Sequence, residues 1–169
     1  MNENYVELLV PRKTAGWQKG MVWLLLLLAI SSLIFYFPAS LATSPMSLLA
    51  LVGAVLFGVL FWVMRTNVDV EYEYLYVGKE LSVDKILGKA KRKNVLVLDM
   101  ERVEMIAPQG SYHLDEFKNK TYRLEDYTSQ EEGAKVYVMI TDSSKVLIEP
   151  NDELIKLFRS TVPRKIFTD

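Results

Sequence analysis

Two uncharged apolar runs separated by a short turn constrain this chain more than any other feature. From Met21 to Phe37 the sequence reads MVWLLLLLAISSLIFYF, and from Met46 to Met64 it reads MSLLALVGAVLFGVLFWVM. At 1.5 Å rise per residue, about 17 to 20 such residues cross a hydrocarbon core. Each run therefore predicts a membrane-spanning helix. Between them lies PASLATSP, whose Pro38 and Pro45 break helices and whose small polar residues suit an exposed turn. The expected object is a transmembrane helical hairpin over 20–65, with a leader at 1–19 and a further domain at 66–169.

Positive charge orients such a hairpin, because Lys and Arg near helix ends are retained in the cytosol. Arg12, Lys13 and Lys19 precede the first run, Arg65, Lys79 and Lys85 follow the second, and the connecting turn has neither residue type. Both termini are thus expected in the cytosol, with the protein in the cell membrane. Trp17, Trp23, Tyr36 and Trp62 fall near the predicted boundaries, as interfacial aromatic anchors do. The competing reading is a secretory signal peptide cleaved after Ala42, but the first run exceeds the usual apolar region of about 7 to 15 residues.

Ala50, Ala54 and Gly58 recur at a spacing of four, which places small residues along one face of the second helix. The expected partner is the first helix around Ala29 and Ser32, with a homodimer as the alternative. Neither run holds an ionisable residue, which argues against a transporter or channel. In the leader, Tyr5, Leu8 and Leu9 fall at i, i+3 and i+4 with Asn2 or Asn4 as a cap and Pro11 as a stop. That spacing predicts a short interfacial helix, with an unstructured leader as the alternative.

Beyond Arg65 the pattern changes to period two. Val68, Val70, Tyr72, Tyr74 and Tyr76 alternate with Asp69, Glu71 and Glu73, as in a half-buried strand. Gly78 and Lys79 predict a tight turn into Glu80–Leu87. More strands are expected over Val95–Met100 and Val103–Ala107, and a second hairpin over Lys135–Thr141 and Lys145–Glu149. Residues 111–134 are polar and aperiodic, which predicts a long surface excursion with a short strand near Tyr122–Tyr127. Leu154, Leu157 and Phe158 share one face of a closing helix, with Asn151 as N-cap and Pro163 beyond its end. The fold class is therefore α+β: a membrane hairpin carrying a small antiparallel β domain, a pleckstrin-homology-like (PH-like) barrel or a sandwich, closed by an amphipathic helix.

The strings EYEYLYVGKEL, VDKILGKAKRK and VEMIAP, the pair Glu149–Pro150 and the closing PRK at 163–165 resemble an uncharacterised bacterial family. Its members have two transmembrane helices followed by a PH-like cytosolic domain. The resemblance covers most of the chain and implies architecture, without an activity or an assigned site.

Few residues invite chemistry. The chain has no Cys, so thiolate metal sites and a Cys nucleophile are excluded. Its single His, His113, reads as a solvent-exposed loop residue rather than a base or metal ligand. No phosphate-binding glycine loop, nucleophile elbow or paired-His metal motif occurs, and no catalytic residue, cofactor or metal is expected. A net charge of −1 argues against nucleic acid as a partner. The best candidate site is the basic cluster Lys85, Lys89, Lys91, Arg92 and Lys93, placed on a turn after the first hairpin. Its last four members are expected to contact anionic lipid head groups or a protein partner, each near-surface cation contributing about 1 kcal/mol. A non-enzymatic membrane-anchored adaptor or membrane-surface interaction module is the resulting expectation. The alternative is an enzyme or small-ligand sensor with a pocket near 111–134.

Overall fold

The computed structural model describes residues 5–41 and 44–168. The proposed caps Asn2 and Asn4, and Ala42 beside the considered cleavage position, lie outside the described residues. The chain divides into two units, one helical and one built mainly of strands.

In the helical unit, α1 runs Gly16–Leu41 and α2 runs Met46–Val68. α1 passes through Pro38 rather than stopping before it. Pro38 lies within the last turn and withdraws one N–H from the ladder, leaving the Ile34 carbonyl without that intrahelical donor. The residues withdrawn from solvent include Val22, Leu25, Ala29, Ser32 and Tyr36 along α1 and Ser47, Ala50, Ala54, Phe57, Phe61 and Met64 along α2, with Leu26, Gly53 and Gly58 beside them. The two named series step by three and four, the spacing of a helix–helix seam. The other faces, including Leu27, Ile34, Leu48, Val52 and Val59, are apolar and exposed. Both helices are long and apolar enough to cross a membrane.

The β unit begins with a correction. Tyr5–Pro11 is strand β1, not a surface helix or an unstructured leader. Tyr5, Leu8 and Leu9 satisfy a helical spacing, but Val6 and Val10 are the buried pair and they obey period two. Strands β2 (Val70–Val77), β3 (Glu80–Leu87) and β4 (Lys91–Asp99) complete a four-stranded sheet in the order β1-β2-β3-β4. β1 pairs antiparallel with β2, Tyr5 opposite Val77 and Pro11 opposite Glu71. The helical pair is therefore an insertion between two hydrogen-bonded neighbouring strands.

Tyr72, Tyr74 and Tyr76 of β2 are buried, as their alternation predicts. Each hydroxyl finds a partner, which is the condition for burying a phenol. Tyr72 accepts from Arg12, Tyr74 donates to the Tyr127 carbonyl at 2.7 Å, and Tyr76 bonds the Thr161 hydroxyl. β5 (Met105–Pro108), β6 (Arg123–Asp126), β7 (Tyr137–Ile140) and β8 (Ser144–Ile148) form a second sheet in the order β5-β7-β8-β6. Its outer pair β6–β8 is parallel and the others are antiparallel. The two sheets do not close into a barrel.

Helix α3 (Asp152–Thr161) closes the core with Leu154 and Phe158, both fully buried. Phe158 meets Tyr76 edge-on at 5.5 Å, and Asn151 caps the helix by accepting from the Leu154 N–H.

Candidate membrane-boundary site

The basic cluster is divided between a turn and two strands, with Lys85 half-buried in β3. Gly88 and Lys89 have positive φ, 56° and 59°, and form the turn with Ala90, whereas Lys91, Arg92 and Lys93 open β4. The expectation that all of them share a turn is thus corrected. β4 starts earlier than its apolar stretch because Arg92 and Asn94 find partners along the sheet. Arg92 pairs with Glu73 of β2 at 2.8 Å, and Asn94 donates to Ser82 and Asp84 of β3. Lys89, Lys91 and Lys93 are exposed and make no ion pair among the described residues.

Strand order sets which end of the sheet this hairpin turn occupies. Strands joined by turns of two or three residues run antiparallel, so Pro11, Val70, Leu87 and Lys91 share one end of the sheet. Both connections to the helices leave from that same end. The turn is also bonded to the end of α2: the Gly88 N–H donates to the Asp69 carbonyl at 2.8 Å. A Cβ on Gly88 would stand 3.4 Å from the Thr66 carbonyl oxygen, which with the positive φ explains the glycine.

Glu73 is an acid in an unusual place, nearly buried on the β2 face opposite the tyrosines. Burial pushes its carboxyl above the usual glutamate range; Arg92 opposes that shift, while Glu7 and Asp84 add to it. Glu7 of β1 is held below that range by hydrogen bonds from the Tyr5 hydroxyl and then from Glu73. Sequence spacing marked Glu73 only as part of a solvated face. The missing signal was β1, which supplies Glu7 and shields that face.

The remaining candidates are placed as follows. In the helix pair Ala54 is buried and Ala50 half-buried, while a Cβ on Gly58 would meet open space. The close approach is made by Gly53, where a Cβ would lie 3.3 Å from the Ser32 hydroxyl. The 111–134 excursion holds a 3-10 helix, Tyr112–Phe117, whose Leu114 packs with Ala107, Val138 and Ile140. Between that helix and β7–β8 is a concavity of about 290 Å³ bordered by Asp115, Lys118, Leu124 and Lys145. His113 is half-buried rather than exposed, its ring 4.0 Å from Tyr112 and 3.8 Å from Phe167. Among the described residues no three His, Asp or Glu side chains converge as a metal site.

A family model described as Bacterial PH-like domain (DUF6106) matches residues 2–168. No curated protein and no solved structure matches the chain.

Proposed function

The chain belongs to the bacterial PH-like domain family, and from that premise we propose that it is a membrane-anchored, non-enzymatic module. It holds a β domain against the cytosolic face of the cell membrane for contact with lipid head groups and a protein partner. The observation that carries this reading is the insertion of α1 and α2 between paired strands, Pro11 opposite Glu71. A hairpin that leaves and re-enters one sheet must return to the side from which it started. The exposed apolar faces of both helices suit lipid rather than water, since soluble monomers rarely expose contiguous patches of that extent. Basic flanks and an uncharged turn put the shared side in the cytosol. Removal of the first helix as a signal peptide would also strip β1 from the sheet, which weighs against cleavage.

The basic hairpin supports the lipid half of the proposal. Lys89, Lys91 and Lys93 stand at the sheet end from which the helical connections leave, and Arg92 is half engaged with Glu73. Two covalent connections confine the domain near the bilayer, so weak head-group attractions act at high effective concentration.

The absence of Cys makes a direct test simple. Single cysteines at Ser44, in the turn, and at Glu132, in the β domain, are expected on opposite sides of the membrane. Ser44→Cys should react with an impermeant maleimide in intact cells, and Glu132→Cys only in inverted vesicles. The full chain should also stay in the pellet at alkaline carbonate pH. Release by carbonate, or labelling of both positions from one side, would sink the anchor. Copurification after detergent extraction tests the adaptor role, and the return of no reproducible partner would leave lipid contact alone.

A further inference from the structure

At the end of the helix pair that bears Arg65 lies a cleft of about 390 Å³ lined by both helices. From α1 it takes Lys19, Val22, Trp23 and Leu26, at i, i+3, i+4 and i+7; from α2 it takes Phe61, Arg65 and Val68, with Asp69 just beyond its end. These are successive turns of two facing stripes, so the lining changes character with depth. Lys19, Arg65 and Asp69 form the polar end. Val22, Leu26 and Phe61 continue about 10 Å along the axis into the apolar run. The Arg65 guanidinium lies over the ring of Phe61, another lining residue, at 5.9 Å. Neither Lys19 nor Arg65 makes an ion pair among the described residues.

We infer that this cleft binds one anionic phospholipid of the cytosolic leaflet. Lys19 and Arg65 take the phosphate, Val22, Leu26 and Phe61 take the upper acyl chain, and Trp23 lies at the ester level. Two unpaired cations at the mouth of an apolar slot match a ligand that is anionic at one end and hydrocarbon at the other. A soluble anion would leave the apolar wall unused, and an apolar ligand would leave both charges unanswered. Asp69 opposes the phosphate electrostatically, so it selects a head group that presents donors to it, such as the hydroxyls of phosphatidylglycerol. The Gly88–Asp69 bond holds the Lys89 turn at this same end of α2 and adds a third cation nearby. This inference rests on the membrane-spanning reading proposed above.

The experiment compares lipids retained by the full-length protein, extracted gently from vesicles of equal phosphatidylglycerol and phosphatidylcholine and analysed by native mass spectrometry. The unaltered chain should carry one phosphatidylglycerol in preference to phosphatidylcholine. K19Q and R65Q should each reduce the preference about fivefold, and the pair should reduce it to the bulk ratio. K156Q, an exposed change on α3, should leave it intact. An unaltered preference in the K19Q/R65Q chain, or one lost equally in a K91Q/K93Q chain, overturns the cleft as the site. Carbonate extraction of the same preparations separates the two failures. Variants that remain in the membrane yet keep the preference refute this inference alone, whereas release of the unaltered chain refutes the anchor beneath it.

Discussion

Glu73 shows how one residue can be tuned by three strands. Its raised carboxyl value means the folded state holds a proton that the unfolded chain releases near the ordinary glutamate value. Its contribution is therefore fully present below that value and is lost as pH rises through the raised one. Glu7 has the opposite sign: its lowered value gives stability that is present above the ordinary range and lost as pH falls. Glu73→Gln should flatten the decline above the glutamate range, read as urea midpoints of the detergent-solubilised chain from pH 4 to 8. Arg92→Gln should deepen the decline and cost on the order of 1–3 kcal/mol at pH 7, because it leaves a nearly buried carboxylate without its counter-charge. Equal pH profiles for both variants would remove Glu73 as the responsible group. Tyr74→Phe tests the core instead. The hydroxyl both donates to the Tyr127 carbonyl and accepts from the Glu149 N–H at 3.2 Å. Its loss should cost about 1–3 kcal/mol with no change in pH dependence. The tyrosine row was legible in sequence because three aromatics at period two have few alternatives, whereas the role of Glu73 depended on a strand more than sixty residues upstream.

At the scale of elements, long patterns were readable and short ones were ambiguous. The two helices, the Gly78–Lys79 hairpin and the Asn151-capped α3 follow from runs long enough to fix a period. β1 was hidden because its seven residues fit a helical as well as an extended face, and only pairing with β2 decides between them. The 111–134 segment was similarly opaque: its order comes from Leu114 entering the core, a tertiary effect without a local period. β1 yields a sharp prediction about truncation. A fragment beginning at Thr66 loses Val6 and Val10 from the core, about 1.5–3 kcal/mol for each buried Val, and bares the β2 edge. It should aggregate on size exclusion. A chain in which a short Gly/Ser linker replaces 14–69, rejoining Pro11 to Glu71 across their pairing, should be monomeric with a near-ultraviolet dichroism signal. Equal behaviour of the two fragments would show β1 to be dispensable. Gly88→Ala is the matching change at the other hairpin. It forces a Cβ into positive φ beside the Thr66 carbonyl, and should increase amide exchange across 87–91 while leaving the β7–β8 hairpin unaffected.

For the whole molecule, the insertion couples two events that an N-terminal anchor would leave independent. On the membrane-anchored reading, arginines introduced at Ser44 and Ser47 oppose translocation of the turn. With β1 and β2 obliged to meet, such a chain should accumulate poorly, with no stable single-span form detectable by thiol labelling at Glu132→Cys. Efficient accumulation of a single-span form would show that the sheet tolerates separation of its first strand. The pairing of Tyr5–Pro11 with Glu71–Val77 also dictates an order of events during synthesis. On the membrane-anchored reading, the first strand leaves the ribosome before either helix and stays unpaired while the next fifty-odd residues enter the bilayer and return. Only a hairpin that has returned to its starting side would then bring the second strand within reach of the first. On that reading, completion of the sheet becomes a receipt for membrane insertion, and a misdelivered copy would expose an unfinished strand edge.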